Sequence, residues 1–330
     1  MTTEIRHARQ SDRSAILEFI DTFWRKDHIF VREPSFFDYE MTTDGVPQFI
    51  LAVNSNQIVG LVGYVKHAAL VEESDLFLVL LRVLESHANE GLAIKLLKTC
   101  LDLTNKNVHT VGANPKALPL YSLMGFKTGY LDHYYWLNPQ IGTYNLAHVP
   151  ERLDWQTAKF SCNVTPVTSI EETEYNRLPH YRHAAKSLDF FRKRYFEHST
   201  FSYSVYAVRD QATGGSLTGL GVTRLVEANQ SRAMRIVDWI GHDDYFNAFA
   251  GAIQQHCLME QCEFADFYCL GMSADILKQA GFCKILAETE TIIPNYFSPF
   301  LQRNVSLTFC TTQNNNIKLF RGDGDQDRPV

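Results

Sequence analysis

Apolar residues in this chain recur at two spacings, and the change from one to the other marks out its elements. Ile5–Ala8 reads as a short strand. Ser11 and Asp12 offer a cap for a helix over Ser14–Trp24, where Ile16, Phe19, Ile20 and Phe23 share one face. Phe49–Val53 and Ile58–Val65 read as strands joined by the turn residues Asn54, Ser55 and Asn56. Leu76–Val83 is almost continuously apolar, as a strand covered on both faces would be. Leu92–Leu103 has helical spacing, Val108–Ala113 is a strand, Leu118–Met124 a short helix closed by Gly125, and Tyr130–Leu137 a last strand. This order predicts a three-layer α/β unit with a mixed sheet.

Around Pro139–Thr165 the pattern weakens, and then the order returns. Tyr203–Val208 and Leu217–Val226 flank a Gly-rich turn at Asp210–Ser216. Arg235–Ile240 and Ala265–Leu270 read as strands, and Phe246–Met259 and Ala274–Ala280 as helices, the second ended by Gly281. Val53 with Val208, Gly60 with Gly219, and Gly125-Phe126 with Gly281-Phe282 match at a shift of about 156 residues, the mark of an internal repeat. The expected organisation is a unit over 1–140, a linker or crossing segment over 141–165, and a second unit over 166–330.

Composition narrows the class. The 330 residues, 45% hydrophobic and 21% charged, suit two globular domains. With 31 basic against 37 acidic residues the net charge is −6, which disfavours nucleic acid and polybasic membrane contact. Seven scattered cysteines without a CxxC read as buried thiols rather than a disulfide or zinc framework. The N-terminus has no signal-peptide pattern, and the longest apolar run falls well short of a membrane span, so a cytoplasmic protein is expected.

The chemistry concentrates between Leu76 and Phe126. Ala88-Asn89-Glu90-Gly91-Leu92-Ala93 joins a strand to a helix, where backbone N–H groups and the helix dipole can hold a pyrophosphate. Downstream stands Asn114-Pro-Lys-Ala117-Leu-Pro-Leu120-Tyr121-Ser-Leu-Met-Gly125-Phe126. The two segments resemble the coenzyme A site of the GNAT superfamily of acyltransferases. The first fits its (Arg/Gln)-x-x-Gly-x-(Gly/Ala) loop at Gly91 and Ala93. It departs at Ala88, and Glu90 adds a negative charge. The second fits Asn-x-x-Ala-x-x-Leu-Tyr-x-x-x-Gly-Phe at each named position.

The resemblance implies two tandem GNAT-like units with splayed central sheets, and an acyl-CoA cosubstrate whose pantetheine arm enters between Leu76–Val83 and Val108–Ala113. Val83 and Leu84 would hydrogen-bond that arm. Asn89, Gly91, Leu92, Ala93 and Asn114 would surround the cofactor, and Tyr121 would protonate the departing thiolate. At the repeat offset, Gly91 and Ala93 become Asn247 and Phe249, and Asn114 and Tyr121 become Leu270 and Leu277, so one acyl-CoA site is expected.

The text around Trp24-Arg-Lys-Asp27-His28, Gly129–Trp136 and Pro294–Phe300 resembles bacterial nucleotide-sugar N-acyltransferases, which acylate dTDP-linked amino-dideoxy sugars for surface polysaccharides such as the O-antigen. A nucleotide-sugar acceptor would then stack on Trp24, Tyr134, Tyr296 or Phe297. His28, His133 and Glu85 are alternative bases for the ammonium proton, and a water chain is a fourth. A peptide or thiol acceptor, or a CoA-binding module without chemistry, remain the rival readings. No metal is expected. His180 and His183 lack a third ligand, and Asp323, Asp325 and Asp327 lack the downstream Glu of a calcium loop. Homo-oligomerisation, acyl length and the acceptor amine stay open.

Overall fold

The computed structural model describes residues 2–67, 75–104, 107–150, 162–178, 184–315 and 317–324. His180, His183, Asp325 and Asp327 lie outside them, as do residues 151–161 of the expected linker. The chain is mixed α/β and divides into two compact units, one of Met1–Thr128 with Cys310–Asn314, the other of Gly129–Phe309 with Asn315–Pro329. The division thus falls at 128/129, ahead of the boundary expected at 140.

The sheet of the first unit begins Glu4–His7, Phe49–Asn54, Gln57–Lys66, Leu76–Val83 and Val108–Val111. The first four run antiparallel to their neighbours, and Leu76–Val83 pairs parallel with Val108–Val111. Helix Leu92–Leu103 crosses between these two parallel strands. Its Leu92, Leu96, Leu97 and Cys100 are buried against Ile50, Val62, Leu76 and Leu78, and each buried leucine contributes about 2 kcal/mol. The opposite face packs Phe49, Leu51 and Leu61 on Ile16, Phe19, Phe37 and Met41.

Several expectations are revised. The helix over Ser14–Trp24 is regular only through Arg13–Phe19 and widens into a π turn at Ile20–Trp24. Two further helices, Ile29–Arg32 and Pro34–Met41, follow it. The strand expected at Tyr130–Leu137 is two strands, Lys127–Tyr130 in the first sheet and Asp132–Leu137 in the second. Between Val108–Val111 and Lys127–Tyr130 the first sheet takes in a distant strand, Thr308–Thr311.

The sheet of the second unit repeats the pattern of an antiparallel series followed by one parallel pair. Asn163–Val167, Ser204–Asp210, Ser216–Ala228 and Ser231–Gly241 are antiparallel, and Ser231–Gly241 pairs parallel with Cys262–Leu270. Helix Phe246–Met259 crosses between the two and is buried along Phe246, Phe249, Ile253 and Cys257. Asp132–Leu137 then pairs antiparallel with Cys262–Leu270.

Candidate active site

The first unit opens where its parallel pair should continue. Leu76–Val83 pairs with Val108–Val111 at two positions, Leu76 with Val108 and Phe77 with His109. Beyond them the strand carries a bulge. Leu61 faces Arg82 and Gly63 faces Val79, so Leu80 and Leu81 together oppose Val62, and Leu80 has φ of 54°. A bulge bends and overtwists its strand, here just past the last parallel rung. On the other side Gly112, with φ of 85°, turns the chain away after Val111. The strands therefore splay.

Val83 borders that gap. It faces Gly60, and the N–H of Leu84 donates to Val59 O at 2.9 Å. This register makes Val83 and Gly60 a non-hydrogen-bonded pair, in which the N–H and C=O of Val83 point away from Gly60 toward the gap. Leu84 does not share this freedom. Its N–H is held by Val59 and its carbonyl accepts from His87 N–H at 3.0 Å. Of the two residues expected to bind the pantetheine arm, Val83 alone is suited.

The chain then winds through a 3-10 turn, Glu85–Glu90, which carries Glu85 and Asn89 exposed. Gly91 follows with φ of 65°, a left-handed conformation that favours glycine, and no side chain caps the helix it begins. A Cβ placed on Gly91 would meet nothing within 4 Å. The first-turn N–H groups are thus uncapped, and of the first three residues Ala93 and Ile94 keep exposed surface while Leu92 is buried, so the N–H groups of Ala93 and Ile94 suit a phosphate. The Glu90 carboxylate is engaged elsewhere, since Thr3 Oγ1 donates to its Oε2 at 3.0 Å and His87 Nε2 lies 3.9 Å from Oε1.

Tyr121 sits on helix Leu118–Leu123, which ends as Gly125 turns left-handed and Phe126 N–H returns to Tyr121 O at 3.0 Å. Its ring is buried, edge-on to Phe126 at 5.2 Å. Burial, with Cys310 and Cys100 nearby, raises the phenol pKa well above its ordinary value, so it remains a proton donor. Tyr121, Leu92, Leu81, Val83 and Ala117 pack in one cluster, which brings together the expected thiol end and phosphate end of the site. Asn114 plays a structural part, since its Oδ1 accepts from Lys116 N–H at 3.0 Å and caps the turn before this helix.

The expected bases lie in different settings. His28 is buried and caps helix Ile29–Arg32, with Nδ1 accepting from Phe30 N–H at 3.3 Å. Desolvation, helped by Arg25 and Arg32, lowers its pKa to about 4, so its imidazole is neutral at pH 7. Glu85 is exposed beside Val83 and Leu84. His133 belongs to the second unit, buried between Asp266, 3.1 Å from its Nε2, and the Tyr268 ring stacked at 3.9 Å.

Of the expected stacking residues, Trp24 is 42% exposed on the π turn beside Phe23. Tyr134 is buried in the second unit's core. Tyr296 and Phe297 form a small hairpin of that unit with Phe300–Leu301, and the Arg235 guanidinium lies 4.7 Å over the Phe297 ring.

Two features escaped the sequence reading. Asp75, His109 and Thr311 form a buried chain at the closed end of the gap, with His109 Nε2 2.9 Å from Asp75 Oδ1 and Nδ1 2.8 Å from Thr311 Oγ1. Thr311 lies 202 residues from His109 and had no local signal. The second is Arg82, a lone charge in the run Leu76–Val83.

The corresponding place in the second unit is filled. Ser231–Gly241 and Cys262–Leu270 last pair at Ile236 and Phe267. Beyond that rung Leu319–Phe320 pairs with Cys269 and Leu270, Phe320 stacks on Phe267 at 5.5 Å, and Trp239 packs against Phe246 and Phe249. Among the described residues no group of three or more His, Cys, Asp or Glu could hold a metal ion, and no helix is long and apolar enough to cross a membrane.

Comparison with known proteins bears on this geometry. The family described as "Acetyltransferase (GNAT) domain" matches residues 30–132. None of the curated proteins compared matches the chain. Among solved structures, a GCN5-related N-acetyltransferase from Anabaena variabilis superposes with a TM-score of 0.57 at 11% identity, covering 94% of this chain and 73% of that one. Another from Kribbella flavida gives 0.53 at 10% identity, with 93% and 70% covered. Eis1 from Mycobacterium abscessus gives 0.51 at 12%, with 88% and 72% covered. At these identities the likeness is one of fold. Residues 30–132 are therefore similar to the GNAT acetyltransferase domain, and the chain shares its fold with solved N-acetyltransferases.

Proposed function

We propose that the protein is an acyl-CoA-dependent N-acyltransferase whose acceptor is the amine of a nucleotide-linked amino-dideoxy sugar. The observation that carries the acyl-CoA part is the gap in the first sheet, with two parallel rungs, a bulge at Leu80, and Val83 main-chain groups turned toward the opening. Acyl-CoA supplies an activated thioester when bound. The uncapped N–H groups of Ala93 and Ile94, with Gly91 bare beside them, hold its phosphates. Val83 N–H and C=O hold the pantetheine amides as a neighbouring strand would.

Tyr121, kept protonated by burial, donates its phenolic proton to the sulfur as the carbon–sulfur bond breaks. The attacking amine loses its proton to water or to Glu85, which is exposed at the mouth of the gap. His28 serves the fold as a helix cap. Orientation of the two substrates supplies most of the acceleration. The filled counterpart in the second unit supports a single acyl-CoA site, and the shared strand order supports a duplicated fold.

The nucleotide-sugar acceptor rests on the resemblance of local sequence around Trp24, Tyr134 and Phe297. Its test is mass spectrometry of reactions that pair acetyl-CoA and longer acyl-CoAs with dTDP-amino sugars, peptides and free amines. Acyl-sugar products support the reading. Products on peptides alone, or CoA binding without any product, would replace it with one of the two rivals.

A further inference from the structure

Leu76–Val83 holds one charged side chain, Arg82, and the pairing fixes its face. Arg82 stands opposite Leu61, which packs with Ile16, Phe19 and Phe37. The next residue, Val83, packs on the other face with Tyr121 and Leu92. The sheet thus separates Arg82 from the proposed phosphate loop, yet leaves it one residue from the edge of the gap. It shares its face with the helices that precede and follow the π turn bearing Phe23 and Trp24.

Arg82 Nε is fully buried without a hydrogen-bond partner, and among the described residues none forms an ion pair with this guanidinium. Two other arginines of the unit are paired, Arg6 with Asp12 at 2.7 Å and Arg13 with Asp38 at 2.6 Å. A guanidinium part-way into an apolar face without a counter-ion is costly to the fold, and its planar fork matches a carboxylate or phosphate. Arg82 as a whole is only partly buried, so a ligand can reach it.

We infer that Arg82 is a specificity-determining residue of the acceptor site, pairing through its guanidinium with a phosphate or carboxylate of the acceptor while the acceptor amine enters the gap beside Val83. The inference rests on the acyl-transfer reading above and adds to it that the acceptor is an anion. A dTDP-linked sugar provides a phosphate, and an acidic amino acid provides a carboxylate.

The test compares the wild type with Arg82→Met and Arg82→Lys, using thiol release from acetyl-CoA. The acceptors are a dTDP-amino sugar, the same amino sugar without its nucleotide, aspartate and its amide. The expected result for Arg82→Met is a loss of about ten- to hundredfold in kcat/KM on the productive anionic acceptor. Turnover of the uncharged counterpart and the KM for acetyl-CoA should stay within about twofold, with an intermediate loss for Arg82→Lys, which keeps the charge without the fork. Whether the sugar or aspartate series shows the effect identifies the anion.

Equal losses on charged and uncharged acceptors, or a raised KM for acetyl-CoA, would overturn the inference. If Arg82→Met does not fold, Arg82→Lys is judged by the same comparison. If the wild type acylates no amine, the acyl-transfer reading fails by itself, and calorimetry with dTDP and inorganic phosphate decides the fate of Arg82. Binding that weakens in the variants keeps Arg82 as an anion site, and binding that does not change removes it.

Discussion

Gly91→Ala separates the cost to the fold from the cost to the cofactor. At φ of 65° an L residue is strained by about 1 kcal/mol relative to glycine. The added methyl meets nothing within 4 Å, so no steric term adds to this. The expected stability loss is thus about 1 kcal/mol, a fall of about 2–4 °C in Tm. The same methyl borders the turn whose N–H groups of Ala93 and Ile94 are to hold the phosphates. A helix N-terminus contributes up to about 2 kcal/mol to an anion held in favourable geometry, so holding the phosphate off should weaken CoA by about five- to thirtyfold. Gly91→Asp should weaken it further through charge repulsion. Gly45→Ala is the control, with φ of 77°, only ordinary contact with Gln10, and a position in another turn of the same unit. Scanning calorimetry gives the Tm and titration calorimetry the Kd for CoA. A Gly91→Ala protein that loses the expected stability yet binds CoA as tightly as the Gly45→Ala control would refute the placement of the phosphates.

Tyr121→Phe keeps the buried ring and its contact with Phe126, so CoA affinity should hold while kcat falls by about a hundredfold; single-turnover kinetics at an unchanged KM for acetyl-CoA check this. The lowered pKa of His28 makes a pH prediction. Its folded value of about 4 lies below the unfolded 6.5, so the unfolded chain takes up the proton first as pH falls. Stability contributed by neutral His28 is whole above pH 6.5 and falls by up to about 3 kcal/mol toward pH 4, and urea titrations of wild type and His28→Gln should show this slope shrinking in the variant. In the second unit Arg321 and Asp266 are fully buried partners, with Arg321 Nη1 donating to Asp266 Oδ1 at 3.0 Å. Arg321→Met removes the guanidinium from the buried Asp266 carboxylate, leaving it, among the described residues, the His133 contact alone, and should cost about 3–5 kcal/mol in chemical denaturation, well beyond the loss from a surface pair such as Arg13→Met.

What the chain reveals of itself depends on how local each signal is. The run at Leu76–Val83, the helix at Leu92–Leu103 and the turn closed by Gly125 are written in adjacent residues, and the fold contains them. Strand Thr308–Thr311 owes its place to partners far back in the chain, and nothing in its own four residues says which sheet it enters. The same holds for Asp132–Leu137: its alternation marks a strand, but the turn at Leu131 hands it to the second sheet. Helices Ile29–Arg32 and Pro34–Met41 were hidden because each is short and dense in aromatic and charged residues, with helical stability drawn from burial of Phe36, Phe37 and Met41 rather than from periodicity.

The site shows the same division. The Asn114–Phe126 motif was legible because glycine and tyrosine spacing lies within one stretch. The release of Val83 and the engagement of Leu84 follow from a register that only the paired strands define. Arg82 was visible as a charge in an apolar run, but that its buried Nε finds no hydrogen-bond partner among the described residues is a property of the folded face.

A crystal structure with acetyl-CoA bound puts the central claim to the most direct trial. The expected result is electron density for the pantetheine arm between Leu76–Val83 and Val108–Val111, on the main chain of Val83, with phosphate oxygens within hydrogen-bond reach of the N–H groups of Ala93 and Ile94. Density for the cofactor against Ser231–Gly241 and Cys262–Leu270, with the gap beside Val83 left without it, would contradict the account.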